Sequence, residues 1–145
     1  MIKFHIGDLM AQTTGIIVHQ VNCQGVMGSG VAKLIRAMYP KVYEQYSKFC
    51  MSHRTNYDLL GKVQVVGVSD TLSVANIFGQ LNYGTDQIQV DYWALESGFR
   101  KMFILDPDQK EYHVPDMIGC GLAGGDRNRV IELISESILT VNPDA

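Results

Sequence analysis

Two glycine-rich segments are the parts of the chain whose residue types and spacing could do chemistry. The first, residues 15–40, carries Gly25, Gly28 and Gly30 between a β-branched apolar run and a run of helical period. The second, residues 119–126, again joins a strand-like run to a helix-like one. Glycines let a ligand approach the main chain, and the first N–H groups of a helix are unpaired donors. Either segment alone could simply turn the chain, but the pair indicates an anion site, most often for phosphate.

The predicted strands and helices on either side of these two segments determine where the segments lie in the fold. Residues 15–21 read as a buried strand, and residues 29–39 read as an amphipathic helix that Pro40 ends. The β-rich runs at 63–68 and 72–78 are separated by a turn that is too short for a parallel crossover. They therefore predict a hairpin in a mixed sheet.

Further elements complete the predicted architecture. The apolar face of the 90–103 run includes Trp93, which we expect in the core. We also predict helices over 41–53 and after Asp126, and strands over 1–6, 112–118 and 139–141. This alternation predicts a single three-layer α/β/α domain over residues 1–145.

Composition and charge exclude several classes of function. Twelve basic and fifteen acidic residues give a net charge of −3 without a long block of either sign, which argues against a surface that tracks nucleic acid. The start of the chain lacks the apolar core of a signal peptide, and no apolar run reaches the roughly 18 residues of a membrane helix. We expect a cytoplasmic monomer with no membrane partner. Cys23, Cys50 and Cys120 are odd in number and lack CxxC spacing, so we expect neither a disulfide framework nor a zinc site.

The common nucleotide-binding loops do not match the first glycine segment. A P-loop requires Gly-Lys followed by Ser or Thr, and residues 25–33 contain no Gly-Lys pair. A Rossmann loop requires GxGxxG, but Val31, Ala32 and Lys33 follow Gly30. The sequence thus argues against a P-loop triphosphatase and a nicotinamide-dependent oxidoreductase.

The sequence instead resembles the macrodomain family. The resemblance rests on HQVNCQGVMGSGVAKLIRAMYP at 19–40, IGDL at 6–9, ANIF at 75–78 and IGCGLAGGD at 118–126, in the order found in the family. It is strongest to the small phage, bacterial and fungal members described as ADP-ribose-1″-phosphate phosphatases. The resemblance implies a mixed sheet of about six strands between helices, with an ADP-ribose cleft at the strand ends and no cofactor.

The same resemblance implies a set of ligand-binding residues. Asp8, with Leu9 beside it, would accept a hydrogen bond from the adenine amino group; a turn residue is the alternative. Asn22 would bind the distal ribose, or would form an Asx turn. Asn142 would reach the adenosine, or is simply a polar chain end. Backbone amides would border the distal ribose and the diphosphate at Gly28, Ser29, Gly30 and Val31, and at Gly121, Leu122, Ala123, Gly124 and Gly125.

Two side chains are candidates for catalysis in a protein of this family. His19 lies three residues before Asn22 on the same predicted strand, so its imidazole could protonate a departing oxygen or hold a phosphate. A hydrogen-bonded core histidine is the alternative. Asp126 could activate water, or could cap the helix that follows, and the two roles are compatible.

Departures from the family pattern narrow the expected activity. The DNA-directed hydrolases of the family use a lysine just after the fourth strand and an aspartate after Gly-Cys-Gly-Leu, where this chain has GQLN at 79–82 and Ala123. Their covalent lysine mechanism is therefore not expected. Arg127 stands where relatives commonly have tryptophan, and it could add a phosphate contact.

The resemblance leaves three functions open. The first is hydrolysis of the terminal phosphate of ADP-ribose-1″-phosphate. The alternatives are a reader that binds ADP-ribose without turnover, and a hydrolase that removes ADP-ribose from a protein or nucleic acid. The expected partners are accordingly ADP-ribose, its 1″-phosphate and ADP-ribosylated macromolecules.

Overall fold

The computed structural model describes residues 6–121 and 123–141 of the chain. Four strands and four α-helices follow one another in this part. The strands are β1 (Gly15–Asn22), β2 (Val63–Gly67), β3 (Leu72–Gln80) and β4 (Tyr112–His113). The helices are α1 (Gly30–Met38), α2 (Pro40–Met51), α3 (Tyr92–Leu105) and α4 (Arg127–Val141), with short 3-10 turns at Leu9–Ala11 and Asn56–Leu59.

The four strands form one mixed sheet in the order β2-β3-β1-β4. β1 runs parallel to β3 along its whole length and parallel to β4 at Ile16 and Ile17. β2 runs antiparallel to β3, so the predicted hairpin and the predicted mixed sheet are confirmed. The parallel order places the carboxyl ends of β1, β3 and β4 at one edge of the sheet.

The sheet has fewer strands in the described residues than the six expected. The predicted strand over 1–6 falls almost entirely outside those residues. The predicted strand over 139–141 is wrong, because these residues form the last turn of α4 and Thr140 Oγ1 donates to the Glu136 carbonyl at 2.8 Å. The predicted strand over 112–118 pairs only at Tyr112–His113, since Pro115 lacks an N–H and its carbonyl instead accepts a turn hydrogen bond from Ile118.

Alternating side chains of the strands build a core on each face of the sheet. Ile16 and Val18 of β1 pack on one face with α3 and α4. Ile17 and Val21 pack on the other face with α1 and α2. The predicted three-layer α/β/α arrangement is therefore confirmed.

Helix α3 corrects the prediction made for Trp93. The helix buries Ala94, Leu95, Gly98, Phe99 and Met102 as one stripe. Trp93 lies beside that stripe and is 68% exposed, so it is not a core residue. Among the described helices, none combines the length and the apolar composition needed to cross a membrane.

Candidate functional site

Three loops meet where the parallel strands end, and we call this region the loop edge. It comprises residues 23–29 after β1, 81–91 after β3 and 114–126 after β4. The Cys23 N–H donates to the Leu81 carbonyl at 3.1 Å, which joins the first loop to the second. The Gln89 and Val90 N–H groups donate to the Ala123 carbonyl at 2.8 and 3.2 Å, which joins the second to the third. The fold thus brings both glycine segments to one edge of the sheet, the usual place for a ligand in open α/β folds.

The side chain of Asn22 shapes the first glycine loop. Its Oδ1 accepts from the Gln24 N–H at 2.9 Å and from the Val26 N–H at 3.4 Å, and its Nδ2 donates to the Val26 carbonyl at 2.8 Å. These contacts match the Asx-turn alternative. A contact between Asn22 and a ribose stays a prediction.

Tyr46 of α2 holds the same loop through hydrogen bonds of its hydroxyl group. Its hydroxyl donates to the Asn22 carbonyl at 2.7 Å, lies 2.9 Å from Asn22 Oδ1, and accepts from the Gly25 N–H at 3.1 Å. The ring is buried and stacks on Phe78, and this burial raises the pKa of the Tyr46 hydroxyl. The sequence analysis missed this role. The signal in the sequence was a tyrosine on the apolar face of a predicted helix. A hydroxyl buried on such a face needs a polar partner, which predicts a structural hydrogen bond.

The start of α1 presents unpaired backbone donors at the loop edge. Gly28, Ser29 and Gly30 are exposed, and Gly30 adopts a left-handed φ of 59° that favours glycine. Ser29 occupies the N-cap position, but its side chain makes no capping hydrogen bond. Within the described residues, the N–H groups of Gly30, Val31 and Ala32 have no acceptor. They could donate to an anion, and a phosphate contact at Gly30 and Val31 stays a prediction.

The second glycine loop uses some of its amides internally. The Gly125 N–H donates to the Gly119 carbonyl at 2.8 Å, and the Gly124 N–H donates to the Gly121 carbonyl at 3.2 Å. The Gly121 and Ala123 N–H groups have no acceptor in the part of the chain that the structure describes. Two of the five predicted phosphate-binding amides are thus free donors, two are committed to the loop, and Leu122 lies outside the described residues.

Asp126 caps helix α4, as one of its two predicted roles requires. Its Oδ1 accepts from the Asn128 N–H at 2.9 Å and from the Arg129 N–H at 3.2 Å. Its own N–H donates to the Tyr92 hydroxyl at 2.8 Å. The residue is exposed, and its Oδ2 has no partner among the described residues. Capping therefore fixes the carboxylate and leaves one oxygen open to solvent.

His19 lies in the interior of the protein and not at the loop edge. Its Nε2 is 2.5 Å from Asn76 Oδ1, and Asn76 Nδ2 donates to Gln64 Oε1 at 3.1 Å. This amide orientation makes His19 Nε2 the hydrogen-bond donor. Burial lowers the pKa of His19 from 6.5 to about 4 and outweighs the opposing effect of the Asn76 hydrogen bond. The geometry supports the alternative of a hydrogen-bonded core histidine and gives no support to a general acid.

The remaining predicted ligand residues are near the chain ends. Asp8 is exposed, and its Oδ1 accepts from the Met10 N–H at 2.8 Å, which matches its alternative role as a turn residue. Leu9 packs partly against the core next to α1 and α2. Asn142 lies outside the described residues. The fold therefore places the two glycine loops, Asn22 and Asp126 at the same edge of the sheet, whereas the hydrogen bonds of Asp8 within the described residues are local.

The loop edge also contains polar features that the sequence analysis did not anticipate. Arg127 forms an ion pair with Asp116, with Nη2 2.6 Å from Oδ1, and so ties the third loop to α4. A cavity of about 320 Å³ opens between the first and second loops. Its lining is formed by Gln24, Asn82, Tyr83, Asp86, Gln87 and Gln89.

The two cysteines at the loop edge are buried thiols. Burial raises the pKa of the Cys23 thiol to about 12 and also raises that of Cys120, so both remain protonated at neutral pH. Among the described residues, no group of three or more His, Cys, Asp or Glu side chains could hold a metal ion. In the two glycine loops, the described donors without an acceptor include the backbone N–H groups of Gly30, Val31, Ala32, Gly121 and Ala123.

The chain was compared with family models and with solved structures to identify its fold. None of the family models matches the sequence. A macrodomain protein from Streptomyces coelicolor superimposes with a TM-score of 0.76 and 28% identity, over 93% of this chain and 89% of that one. The chain has the macrodomain fold. The predicted resemblance to macrodomains is therefore confirmed.

Curated relatives match shorter parts of this chain. A DNA ADP-ribosyl glycohydrolase from Mycobacterium tuberculosis is 38% identical over 66 residues, which are 46% of this chain and 18% of that protein. An ADP-ribose 1″-phosphate phosphatase from Scheffersomyces stipitis is 32% identical over 85 residues, 54% of this chain and 49% of that one. The matches span less than half of either relative.

Proposed function

We propose that this macrodomain binds ADP-ribose at the loop edge and hydrolyses the terminal phosphate of ADP-ribose-1″-phosphate. The observation that carries the proposal is the meeting of two glycine loops with unpaired amides, at Gly30, Val31 and Ala32 on one side and at Gly121 and Ala123 on the other. A diphosphate needs donors on both sides, and backbone amides supply them without an added charge. The relative from Scheffersomyces stipitis carries the name of this activity.

The ligand would lie along the loop edge with its diphosphate between the two glycine loops. Asn22 would contact the distal ribose through the Nδ2 hydrogen that the Val26 carbonyl does not use. Asp8 and Leu9 would contact the adenine, with Asn142 near the adenosine. This orientation follows the family resemblance and would put the 1″-phosphate on the same side as the Asp126 carboxylate.

Asp126 is the group that we assign to proton transfer. Water attacks the phosphorus of the monoester, and the bond between phosphorus and the 1″-oxygen breaks to give inorganic phosphate and ADP-ribose. Asp126 Oδ2 accepts the proton of the attacking water, and the departing oxygen takes a proton from solvent. The amides of the glycine loops stabilise the charge that develops on the phosphoryl oxygens. His19 has no part in this step, because its imidazole is buried beside Asn76.

A reader function is the second candidate, and it has an observation in its favour. Asn22 and the Oδ1 atom of Asp126 are engaged in holding loops, and His19 is buried. The loop edge is therefore better supplied with binding groups than with groups for proton transfer. A reader would use the same amides and release no phosphate.

Removal of ADP-ribose from a macromolecule is a third candidate, supported by the match to the mycobacterial glycohydrolase. The polar cavity beside Gln24 could receive the modified group. The residues at 79–82 and Ala123 do not supply the lysine and aspartate that the covalent mechanism needs. We therefore rank this candidate below phosphatase activity.

Phosphorus NMR of the protein with ADP-ribose-1″-phosphate tests the proposal. We expect the monoester signal to be replaced by inorganic phosphate while the diphosphate signals shift on binding. Asp126→Asn is the decisive variant, because asparagine caps a helix as well as aspartate but cannot accept a proton. It should lower kcat by about a hundredfold or more and leave ADP-ribose affinity unchanged.

Three other outcomes would decide against parts of the proposal. Full activity of Asp126→Asn would remove Asp126 from the mechanism. Shifted diphosphate signals with an intact monoester would favour the reader or the third candidate, which release of ADP-ribose from a modified peptide or oligonucleotide then separates. Unshifted diphosphate signals would refute ADP-ribose binding altogether.

A further inference from the structure

Strand β2 leaves one side of the sheet without a strand partner. Within the described residues it pairs only with β3, so its outer side, which we call the β2 edge, is unpaired. An unpaired strand is a template for another strand, and proteins either protect such an edge or use it for binding. The β2 edge is separate from the loop edge, which is built on β1, β3 and β4.

The backbone of the β2 edge is oriented to accept an added strand. In an antiparallel pair, successive residues direct their N–H and C=O groups alternately toward and away from the partner. The Phe78 N–H donates to the Lys62 carbonyl at 3.0 Å, and the Val68 N–H donates to the Leu72 carbonyl at 3.0 Å, so the Lys62 carbonyl and the Val68 N–H face β3. The alternation then directs the N–H and C=O groups of Val63 and Val65 outward. Two residues thus offer four backbone hydrogen-bonding groups.

A groove runs beside this edge, between β2 and the end of α3. Its volume is about 410 Å³. Ile104 and Leu105 in its wall are 61% and 63% exposed, although they end a helix whose other apolar residues are mostly buried. The complete lining is Lys62, Val63, Lys101, Ile104 and Leu105. Alternate side chains of a strand added to β2 would enter this groove.

Lysine side chains stand at both ends of the β2 edge. Lys41 Nζ donates to the Gly67 carbonyl at 3.0 Å at the carboxyl end of β2. Lys101 Nζ donates to the Gly61 carbonyl at 3.1 Å near its amino end, where Lys62 also lies. Each ammonium group has further donors to offer. The three lysines therefore place positive charge at both ends of the β2 edge.

We propose that the β2 edge binds an extended acidic segment of a partner protein, which adds to the sheet as a strand. Its backbone would pair with Val63 and Val65, its apolar side chains would fill the groove, and its carboxylates would meet the lysines. A second copy of this chain fits less well. Antiparallel self-pairing would bring Lys62 of one copy toward Lys41 of the other, and like charges there would repel. The same lysines repel basic strands, which helps to protect the edge.

Fluorescence anisotropy with labelled peptides tests this proposal on the full chain. The probe is a peptide of about ten residues, the length of a long strand, that alternates glutamate and valine. The matched control peptide alternates lysine and valine. We expect saturable binding of the acidic peptide, and binding of the basic peptide weaker by about tenfold or more.

Substitutions locate the binding site. Val65→Pro removes an outward N–H at an edge position that tolerates proline, and should weaken binding of the acidic peptide about tenfold. Val65→Thr retains that N–H and should bind normally. Lys62→Glu should also weaken binding about tenfold, whereas Lys110→Glu, an exposed lysine outside the edge, should have no effect. If Val65→Pro does not fold, the comparison of Lys62 with Lys110 still decides.

Several results would overturn the proposal. Equal affinity for both peptides would show that charge does not select the partner. Absence of binding would show that the lysines only protect the edge. A dimer in sedimentation experiments that Val65→Pro dissociates would assign the edge to a second copy of the chain.

Discussion

The hydroxyl of Tyr46 illustrates how single residues hold the candidate site. It contacts Asn22 and the Gly25 N–H at once, so one buried oxygen connects α2, the end of β1 and the first glycine loop. Asn22 completes the arrangement by hydrogen bonds to Gln24 and Val26. The conformation of the loop therefore depends on two side chains, and its glycines only permit it.

Replacement of Tyr46 by phenylalanine should damage this loop. The Gly25 N–H and the Asn22 carbonyl would each lose a partner, which costs about 1–3 kcal/mol when the groups cannot reach water. We expect that decrease in the free energy of unfolding, measured in urea, and weaker ADP-ribose binding measured by calorimetry.

Tyr43→Phe is the matched control for this prediction. The Tyr43 hydroxyl lies 3.5 Å from the Gly25 carbonyl, at the limit of a hydrogen bond, and the residue is half-buried. Its removal should change neither quantity appreciably. An equal loss in both variants would show that Tyr46 has no special role in the loop.

For single residues, the sequence analysis selected side chains more successfully than it predicted their structural roles. Asn22, Asp126 and His19 were selected for their chemistry, and the structure finds them in a turn, a cap and the core. Those roles depend on neighbours that are distant in sequence, such as Tyr46, 24 residues from Asn22, and Asn76, 57 residues from His19. The Asx turn, the helix cap and the core histidine were all proposed as alternatives, but only the first two could be given partners from the sequence, because those partners lie within a few residues.

Among the elements, the second glycine loop combines close packing with open amides. A Cβ atom on Gly125 would overlap the Gly119 carbonyl oxygen, whereas a Cβ on Gly121 would meet nothing within 4 Å. Gly125 is thus required by the fold of the loop. Gly121 leaves room on the side where its N–H has no acceptor.

Alanine substitutions at these two glycines should therefore separate folding from binding. Gly125→Ala should lower the free energy of unfolding by about 1–3 kcal/mol, the usual cost of overpacking. Gly121→Ala should leave it unchanged within about 0.5 kcal/mol and weaken ADP-ribose binding, because a methyl group would keep the diphosphate from the backbone. Thermal unfolding and calorimetry measure the two effects. Normal binding by Gly121→Ala would argue against a phosphate contact at that position.

Some strands and helices could be predicted from the sequence and others could not. The hairpin of β2 and β3 was predictable because the short turn between them excludes a crossover. The run at 139–141 was not, since Leu139 and Thr140 are exposed and only extend the helix that Val130, Leu133 and Ile134 pack against the core. Packing against the sheet decides such a case, and it overrides local propensity.

On the scale of the whole molecule, a polar chain crosses one of the two cores. His19, Asn76 and Gln64 lie on three adjacent strands, and Gln64 Nε2 donates to the Gln45 carbonyl of α2 at 3.1 Å. His19 Nδ1 is buried and has no partner in the described residues. The protein is therefore built around a neutral imidazole that cannot be protonated without loss of stability.

This arrangement predicts that stability falls in mild acid. The pKa of His19 is about 4 in the folded protein and 6.5 in the unfolded chain, so the unfolded chain binds the extra proton between these values. The contribution of His19 is complete above pH 6.5 and is lost as the pH falls toward 4. The shift corresponds to about 3 kcal/mol at most.

Urea denaturation at several pH values, with His19→Asn as the reference, measures this contribution. Carboxylates titrate in the same pH range in both proteins. The difference between their free energies of unfolding therefore isolates the contribution of the His19 imidazole. We expect the free energy of unfolding of the native sequence to fall more steeply than that of the variant below pH 6.5. Parallel pH profiles would contradict a buried neutral His19.

The hairpin of β2 and β3 also separates two ends of the molecule. Its turn, with Ser69 and Asp70 exposed, precedes β3, whereas the loop edge follows it. The nine residues of β3 place roughly 25 Å between the two. A reporter domain inserted at this turn would interrupt neither the glycine loops nor the core. The protein could thus be converted into a genetically encoded sensor whose recognition end and reporter end are joined by a single rigid strand.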